Sequence, residues 1–302
     1  MSYVLGINTG FAVNRYAEPE EWTRVVGDLG LRAVQLTADM LNPDLPAPVL
    51  TDHVRRIRAG CDAAQCAVTS TFTGGFTRVN HLAHPDKAVR EHWIAWFCRF
   101  VDLSVDLGAR SMGSHFGIFT HRDDKDPLRR AERRAQNIEG WHRIAEYAKD
   151  KGLEFLSWEP MSITREQGET LAACRSLQND VAAGAPLPFR ICLDVDHGDL
   201  ASPNPDDTDP YAWLSHFAAD SAFVHLKQSS ANKGGHWPFT AQHNAVGRIA
   251  PGKVVETLAA HDAPDDLELL LELSFREREP ADSTVEQVLA ESVAFWRQAV
   301  PA

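Results

Sequence analysis

No segment of this 302-residue sequence holds an apolar run as long as a membrane-spanning helix needs. Its start, MSYVLGINTG, lacks the basic stretch and long apolar core of a secretory leader, so no signal peptide is expected. The five cysteines, Cys61, Cys66, Cys98, Cys174 and Cys192, are odd in number and form no C-x-x-C pair. They read as free, mostly buried thiols in a reducing compartment, with the cytoplasm as the expected location. Positive charge is scarce: 30 lysines and arginines against 42 acids leave a net charge of -12. That argues against a general nucleic-acid binder, which needs a basic face to neutralise phosphates. It does not exclude one small phosphorylated ligand, because two or three clustered cations hold a phosphate. No G-x-G-x-x-G turn follows the first apolar run, and no low-complexity tract or linker interrupts the chain.

What is present is a repeating order. Hydrophobic residues make up 44% and charged residues 24%, a balance that can bury a large core. Short β-prone runs stand near 3–8, 33–37, 67–73, 111–116, 155–159, 189–195, 223–228 and 268–274. Helical patterns follow near 19–29, 48–65, 86–107, 126–151, 164–183, 209–219, 251–261 and 283–299. In 86–107, Val89, Trp93, Phe97, Phe100, Ser104 and Leu107 recur at spacings of three and four. This mostly apolar stripe is best read as packing against a sheet. Gly108, Gly152 and Gly184 suit helix C-terminal caps, and Pro19 and Pro251 suit first turns. Eight strand-then-helix units predict an α/β fold, a (β/α)8 TIM barrel forming a single domain over 1–302. A doubly wound open sheet fits less well, given the count of eight and the missing glycine-rich turn. Loops 198–208 and 229–250 are long for a compact domain, which marks them as functional segments or lids.

In such a barrel the active site lies at the C-terminal strand ends. Strand five ends in Glu159, and strand six carries Asp194 with His197 beyond it. Strand seven carries His225 and Lys227, strand eight Glu272, and strand four ends near His115. Side-chain alternation puts Cys192, Asp194 and Asp196 on one face, as it does Phe223, His225 and Lys227, and Glu268, Leu270 and Glu272. Four successive strands thus offer two carboxylates, an imidazole and a third carboxylate at one rim. Three such carboxylates would repel one another, and a divalent cation removes the conflict. Oxygen and imidazole ligands suit Mn²⁺ first, with Mg²⁺, Co²⁺ or Zn²⁺ as alternatives, whereas a structural zinc site would use thiolates. Taken singly, each residue has a plainer reading, a hydrogen-bonded histidine or a turn aspartate; the joint pattern favours the metal. Asn8 and His115 end inward-facing runs and stand where a substrate could be touched, although structural hydrogen bonding competes. Asp196 reads as support for its neighbours. His236 and His243, near Gly234 and Gly235, fall in the 229–250 segment expected to act as a lid.

At these residues the chain resembles the xylose isomerase-like superfamily of sugar isomerases and epimerases, most closely its ketose 3-epimerase branch. The resemblance rests on SWEP, CLDVDH, VHLK, VGRIAPGKV and LELSF, in order along the whole chain. It implies one divalent metal held by Glu159, Asp194, His225 and Glu272, with the two glutamates also acting as acid and base. It further implies that His197 and Arg248 contact the substrate. LGINTGFAVNR and TGGFTRVNHLAHPD look like the tetrulose-phosphate epimerases of erythritol catabolism. This implies interconversion of D- and L-erythrulose 1-phosphate, with a homodimer or homotetramer left open and neither nucleic acid nor membrane as partner. Two departures stand out. The family's frequent aspartate after the strand-seven motif is replaced in HLKQSS, and the usual acidic residue of the loop element is replaced in VGRIAPG.

The mechanism so implied is enolisation of a ketose, with one glutamate removing the C3 proton and the other returning a proton to the opposite face. A phosphate would need cations, for which Lys227, Lys233, Arg248 and Arg78 are candidates. Lys227 has a second reading, as a salt bridge to a metal-binding carboxylate. An aldose–ketose isomerase and a polyol-ketone dehydratase could use the same parts. An abasic-site endonuclease would need more histidines and a D-x-H motif where KQSSANK stands. A non-enzymatic sugar-binding barrel would leave the acid/base pair without a task.

Overall fold

Each predicted β-prone run forms a short strand, and the eight close on one another. The computed structural model describes residues 3–78, 81–230 and 233–302, with the side chains of Lys233 and Gly234 outside the described ones. In chain order the elements begin with β1 (Val4–Asn8), α1 (Pro19–Asp28), β2 (Ala33–Thr37), α2 (Ala47–Ala64) and β3 (Ala67–Phe72). Next come α3 (Lys87–Leu107), β4 (Ser111–His115), α4 (His121–Lys125), α5 (Pro127–Lys151), β5 (Phe155–Glu159), α6 (Leu171–Ala182) and β6 (Phe189–Asp194). Then follow α7 (Pro210–Phe217), β7 (Ser221–Leu226), β8 (Gln228–Ser230), β9 (Lys233–Trp237), α8 (Ala241–Asn244), α9 (Pro251–Ala260), β10 (Glu268–Leu271) and α10 (Val285–Trp296). Parallel strands β1, β2, β3, β4, β5, β6, β7 and β10 close the (β/α)8 barrel. Among the described residues, no helix is long and apolar enough to cross a membrane.

Local chemistry sets the helix ends. Pro19 and Pro251 open α1 and α9, where no backbone N–H is needed. Gly108 and Gly152 close α3 and α5 at φ 85° and 93°, a left-handed conformation that costs glycine little. The helical pattern near 164–183 starts later than predicted, at Leu171. Gln167 and Gly168 are both left-handed, at φ 70° and 80°, which breaks the first turn, and the Thr170 hydroxyl then caps Ala173 N. The segment 229–250 is more ordered than a loop. It holds the antiparallel hairpin β8–β9 and the short α8. Its polar, glycine-rich composition hid strands that pair at only a few positions.

Inside the barrel, Phe72, Phe155, Cys192, Ala222, Phe223 and Leu270 form a buried apolar plug. Cys192, Phe223 and Leu270 confirm the side-chain alternation expected for three strands. Phe72 is the floor of the polar layer above, its ring edge-to-face with His225 at 5.5 Å between centroids. Gly113 leaves Phe72 its room, because a Cβ there would stand 2.4 Å from the ring and 2.2 Å from Ser157 Oγ. Gly113→Ala is therefore expected to cost about 1–3 kcal/mol through overpacking. Thermal unfolding checks this, and an unchanged melting temperature would contradict the packing described.

Strand register does the remaining positioning. Parallel pairing sets His115 beside Glu159, Asp194 beside His225, and Asn8 beside Gln35. The β10 ladder continues past its last residue, since Glu272 N donates to Leu226 O at 3.0 Å. Glu272, expected within a strand running to 274, thus stands one residue beyond β10 and is still aimed by the sheet.

Candidate active site

Glu159, Asp194, His225 and Glu272 each present one ligand atom, all within 4.8 Å of one another. Glu159, Asp194 and His225 are buried, whereas Glu272 keeps 23% of its side chain exposed. His225 is fully buried and has two committed nitrogens. Nε2 donates to Gln35 Oε1 at 2.7 Å, while Nδ1 stands 3.2 Å from Glu159 Oε1 and 3.5 Å from Glu272 Oε1. Burial works against a charged ring, but Cys192, Glu272 and Glu159 raise the His225 pKa well above the ordinary imidazole value. Because burial pushes the Cys192 thiol up to about 12, the carboxylates carry this effect at neutral pH.

Lys227 is the second cation of the cluster. Only 1% exposed, it pairs with Asp194 and donates to Glu272 Oε2 at 2.7 Å. Burial opposes its charge, yet Asp194, Glu272 and Glu159 raise its pKa above the usual lysine value. Asp194 responds in the other sense. Burial, helped by Glu272 and Glu159, pushes it up to about 7, against the pull of Lys227 and His225. Glu272 is also penalised by burial, but Lys227 and His225 bring it to about 2. Burial raises Glu159 as well, and His225, His197 and a hydrogen bond from His115 carry it well below the carboxylate range. His115 Nε2 is 3.2 Å from Glu159 Oε2.

The donor set fits a dication. Three carboxylates held this close need positive charge, here lent by an imidazolium and an ammonium. Three oxygens and one imidazole nitrogen suit Mn²⁺, Mg²⁺, Co²⁺ or Zn²⁺. A hydrogen-bond chain also decides which imidazole nitrogen is offered. Gly10 N donates to Asn8 Oδ1 at 2.8 Å, and Asn8 Nδ2 donates to Gln35 Oε1 at 2.8 Å. Gln35 Oε1 therefore faces His225 as an acceptor, holds the proton on Nε2, and leaves Nδ1 to bind. Gln35, absent from the sequence-based candidates, is fully buried at an inward position of β2. A lone amide in the apolar run AVQLT was the signal for it. Gln35→Leu is expected to weaken divalent-metal binding about 10–100-fold. Competition against a chromophoric chelator measures this, and an unchanged affinity would show that the chain does no such work.

The remaining candidates divide. Asn8 lines the same cavity as Glu159 and Glu272, but its amide is spent on the Gly10–Gln35 chain rather than offered to a ligand. His197 donates from Nδ1 to Pro160 O at 2.9 Å and keeps Nε2 toward the cluster, 3.4 Å from Asp194. Burial, with Lys227, lowers its pKa to about 4, so the ring is neutral and Nε2 is an acceptor for a hydroxyl. Arg248 stands further out, anchored to Thr208 O and Ser229 Oγ. Arg78 is paired with Glu166 at 2.6 Å, and the Lys233 side chain is outside the described residues. Asp196 ties the hairpin down, accepting from Gly235 N at 3.0 Å. His236, at φ 46°, returns its ring to 3.2 Å from Lys227 Nζ. His243 bonds instead to Thr240 at 2.8 Å. Gln228, where the family often has aspartate, clamps the segment by bonding both Ile249 N and Ile249 O.

The family model described as xylose isomerase-like TIM barrel matches residues 24–299. The chain belongs to that family. A D-erythrulose 1-phosphate 3-epimerase from Brucella abortus (strain 2308) is 45% identical over 98% of this chain and 96% of its own. A xylose isomerase-type protein of Rhodospirillum rubrum superposes with a TM-score of 0.85 at 25% identity, covering 99% of this chain and 100% of the other. A D-psicose 3-epimerase from Clostridium cellulolyticum H10 shares the fold, with a TM-score of 0.71 at 13% identity over the whole of both chains. The protein is thus an enzyme of the sugar isomerase and epimerase class.

Proposed function

We propose that this enzyme inverts C3 of a small ketose phosphate, interconverting D- and L-erythrulose 1-phosphate. The relative at 45% identity supports the substrate. The observation that carries the reaction type is two glutamates, Glu159 and Glu272, that each offer a carboxylate oxygen to one largely buried cluster. Glu159, Asp194, His225 and Glu272 would hold a divalent cation, Mn²⁺ by preference, which when bound supplies Lewis acidity to the ketose carbonyl.

The chain's own residues do the rest. Glu159 and Glu272 come from non-adjacent strand ends and reach the reacting carbon from two sides. Each serves as base for one epimer and as acid for the other. Their protonation is coupled, so the pair must alternate, one carboxylate with one carboxylic acid. His115 holds Glu159 in place, and Lys227 holds Glu272. His197 Nε2 accepts from a sugar hydroxyl. The β8–β9 hairpin, anchored by Asp196 and Gln228, covers one side and restricts water.

Purified enzyme given D-erythrulose 1-phosphate alone should yield the L epimer with unchanged mass, followed by polarimetry and mass spectrometry. A product lighter by one water would convert the reading to a dehydratase. An aldose product would convert it to an isomerase.

A further inference from the structure

The five cysteines are free thiols, and two of them meet. Cys61 lies in the last turn of α2 and is 5% exposed, whereas Cys66 is the half-buried residue just before β3. The turn that ends α2 brings them together. Gln65 is left-handed at φ 55°, Gln65 N donates to Asp62 O at 3.3 Å, and Cys66 N donates to Cys61 O at 3.0 Å. This six-to-one bond sets the two side chains against each other, where helix ends of this kind usually place an apolar contact. Here the contact is a hydrogen bond between thiols. The Val68 N–H also turns to the Cys61 sulfur and fixes it from the sheet side.

The pair is not symmetrical. Cys61 donates to Cys66, and with the Cys66 backbone N–H this lowers the Cys66 thiol from its ordinary value, against burial and the Asp62 charge. The same bond, with burial, raises Cys61. Burial also raises Cys98, Cys174 and Cys192. Cys66 is thus the one cysteine of the five shifted toward its thiolate. The C-terminus of α2 works against an anion, which leaves the Cys61 donor as the main cause. Ala64 and Gln65, beside Cys66 in the chain, line two surface grooves, so solvent reaches this corner.

We infer that Cys61 and Cys66 form a modification site, a dithiol that hydrogen peroxide oxidises to an intramolecular disulfide. The Cys66 thiolate attacks one peroxide oxygen and the O–O bond breaks. Cys66 becomes a sulfenic acid, and the departing hydroxide takes up the proton that Cys66 had released, forming one water. The Cys61 sulfur then attacks the Cys66 sulfur. The S–S bond forms, and the sulfenic oxygen leaves with the Cys61 proton as a second water. The two sulfurs lose two electrons and the peroxide gains them. Backbone and thiols are already in contact, so closure needs no rearrangement of the chain. A small thiol such as glutathione reverses the bond, which makes it transient in a reducing compartment. The site is independent of the epimerase reading. Cys66 precedes the start of β3, whereas the glutamate cluster stands at the opposite, C-terminal ends of the strands.

The test treats fully reduced wild-type enzyme with hydrogen peroxide and counts free thiols. Five should fall to three as the pair closes, and dithiothreitol should restore all five. No lysine or arginine separates the two cysteines, so both fall in the tryptic peptide 59–78. After alkylation of the remaining thiols, that peptide should be unalkylated and two hydrogens lighter. Cys61→Ser keeps a donor but removes the second sulfur. In that variant Cys66 should stop at sulfenic acid and take up one dimedone per chain, an adduct that wild type does not accumulate. Cys66→Ser should leave Cys61 unreactive. The wild-type count and peptide map decide the question by themselves if either variant fails to fold. Oxidation of Cys98, Cys174 or Cys192 ahead of this pair would overturn the assignment. So would disulfides between chains, or Cys66 passing to sulfinic acid in wild type with Cys61 still free.

Discussion

Glu272→Gln and Glu159→Gln, each assayed at saturating metal, are expected to slow epimerisation about 10²–10⁴-fold, the range of a general acid/base group. The more telling result is an asymmetry. With one base gone, the epimer whose C3 proton faces the surviving glutamate should still exchange that proton with solvent, without inversion. The other epimer should exchange at the background rate. The two variants should show opposite preferences, because Glu159 and Glu272 come from different strand ends. NMR of each epimer in D₂O reads this directly. If both variants favoured the same epimer, one glutamate would be serving both faces and the two-base arrangement would be wrong. Glutamine keeps an oxygen ligand, so loss of metal is the smaller part of the effect; metal analysis of each variant controls for it.

The second large effect is expected at Lys227. Buried beside Asp194 and Glu272, it neutralises two carboxylates that would otherwise face each other in the interior. Removing one partner of a buried ion pair costs about 3–5 kcal/mol, since the charge left behind has no water to return to. Lys227→Met should therefore melt far below wild type when metal-free. A dication supplies the missing charge, so added Mn²⁺ should raise the variant's melting temperature by more than it raises that of wild type. With a dication bound the charges would balance: three carboxylates, one dication and one ammonium sum to zero. Scanning calorimetry with EDTA and with Mn²⁺ measures the difference. A variant as stable as wild type in EDTA would show that Lys227 is not the counter-charge.

The barrel was legible in the sequence because each unit carries its own signals. Apolar runs of five or six residues, Pro19 and Pro251 at helix starts, and Gly108 and Gly152 at helix ends locate the elements without tertiary information. Side-chain alternation, with period two, puts Asp194, His225 and Glu272 on inward faces from the sequence alone. What escaped depends on contacts between distant segments. Gln35 acts through Asn8 and His225, and the register that joins them is a property of the closed sheet. The β8–β9 hairpin rests on two pairings and on Gly235 reaching Asp196, none of which leaves a periodic trace. Lys227 had two readings because its stem could reach either way. Its burial selects the ion pair with the carboxylates.

The central claim is that the strand ends of this barrel form a metal-dependent site that moves the C3 proton of a short ketose phosphate. One proton NMR experiment tests it most directly. Metal-stripped enzyme, with and without one equivalent of Mn²⁺ later quenched by chelator, is incubated with a single erythrulose 1-phosphate epimer in D₂O. The account predicts deuterium at C3, accompanied by the opposite epimer, only where metal was added. Deuterium confined to C1, or equal exchange in the metal-stripped sample, would contradict it.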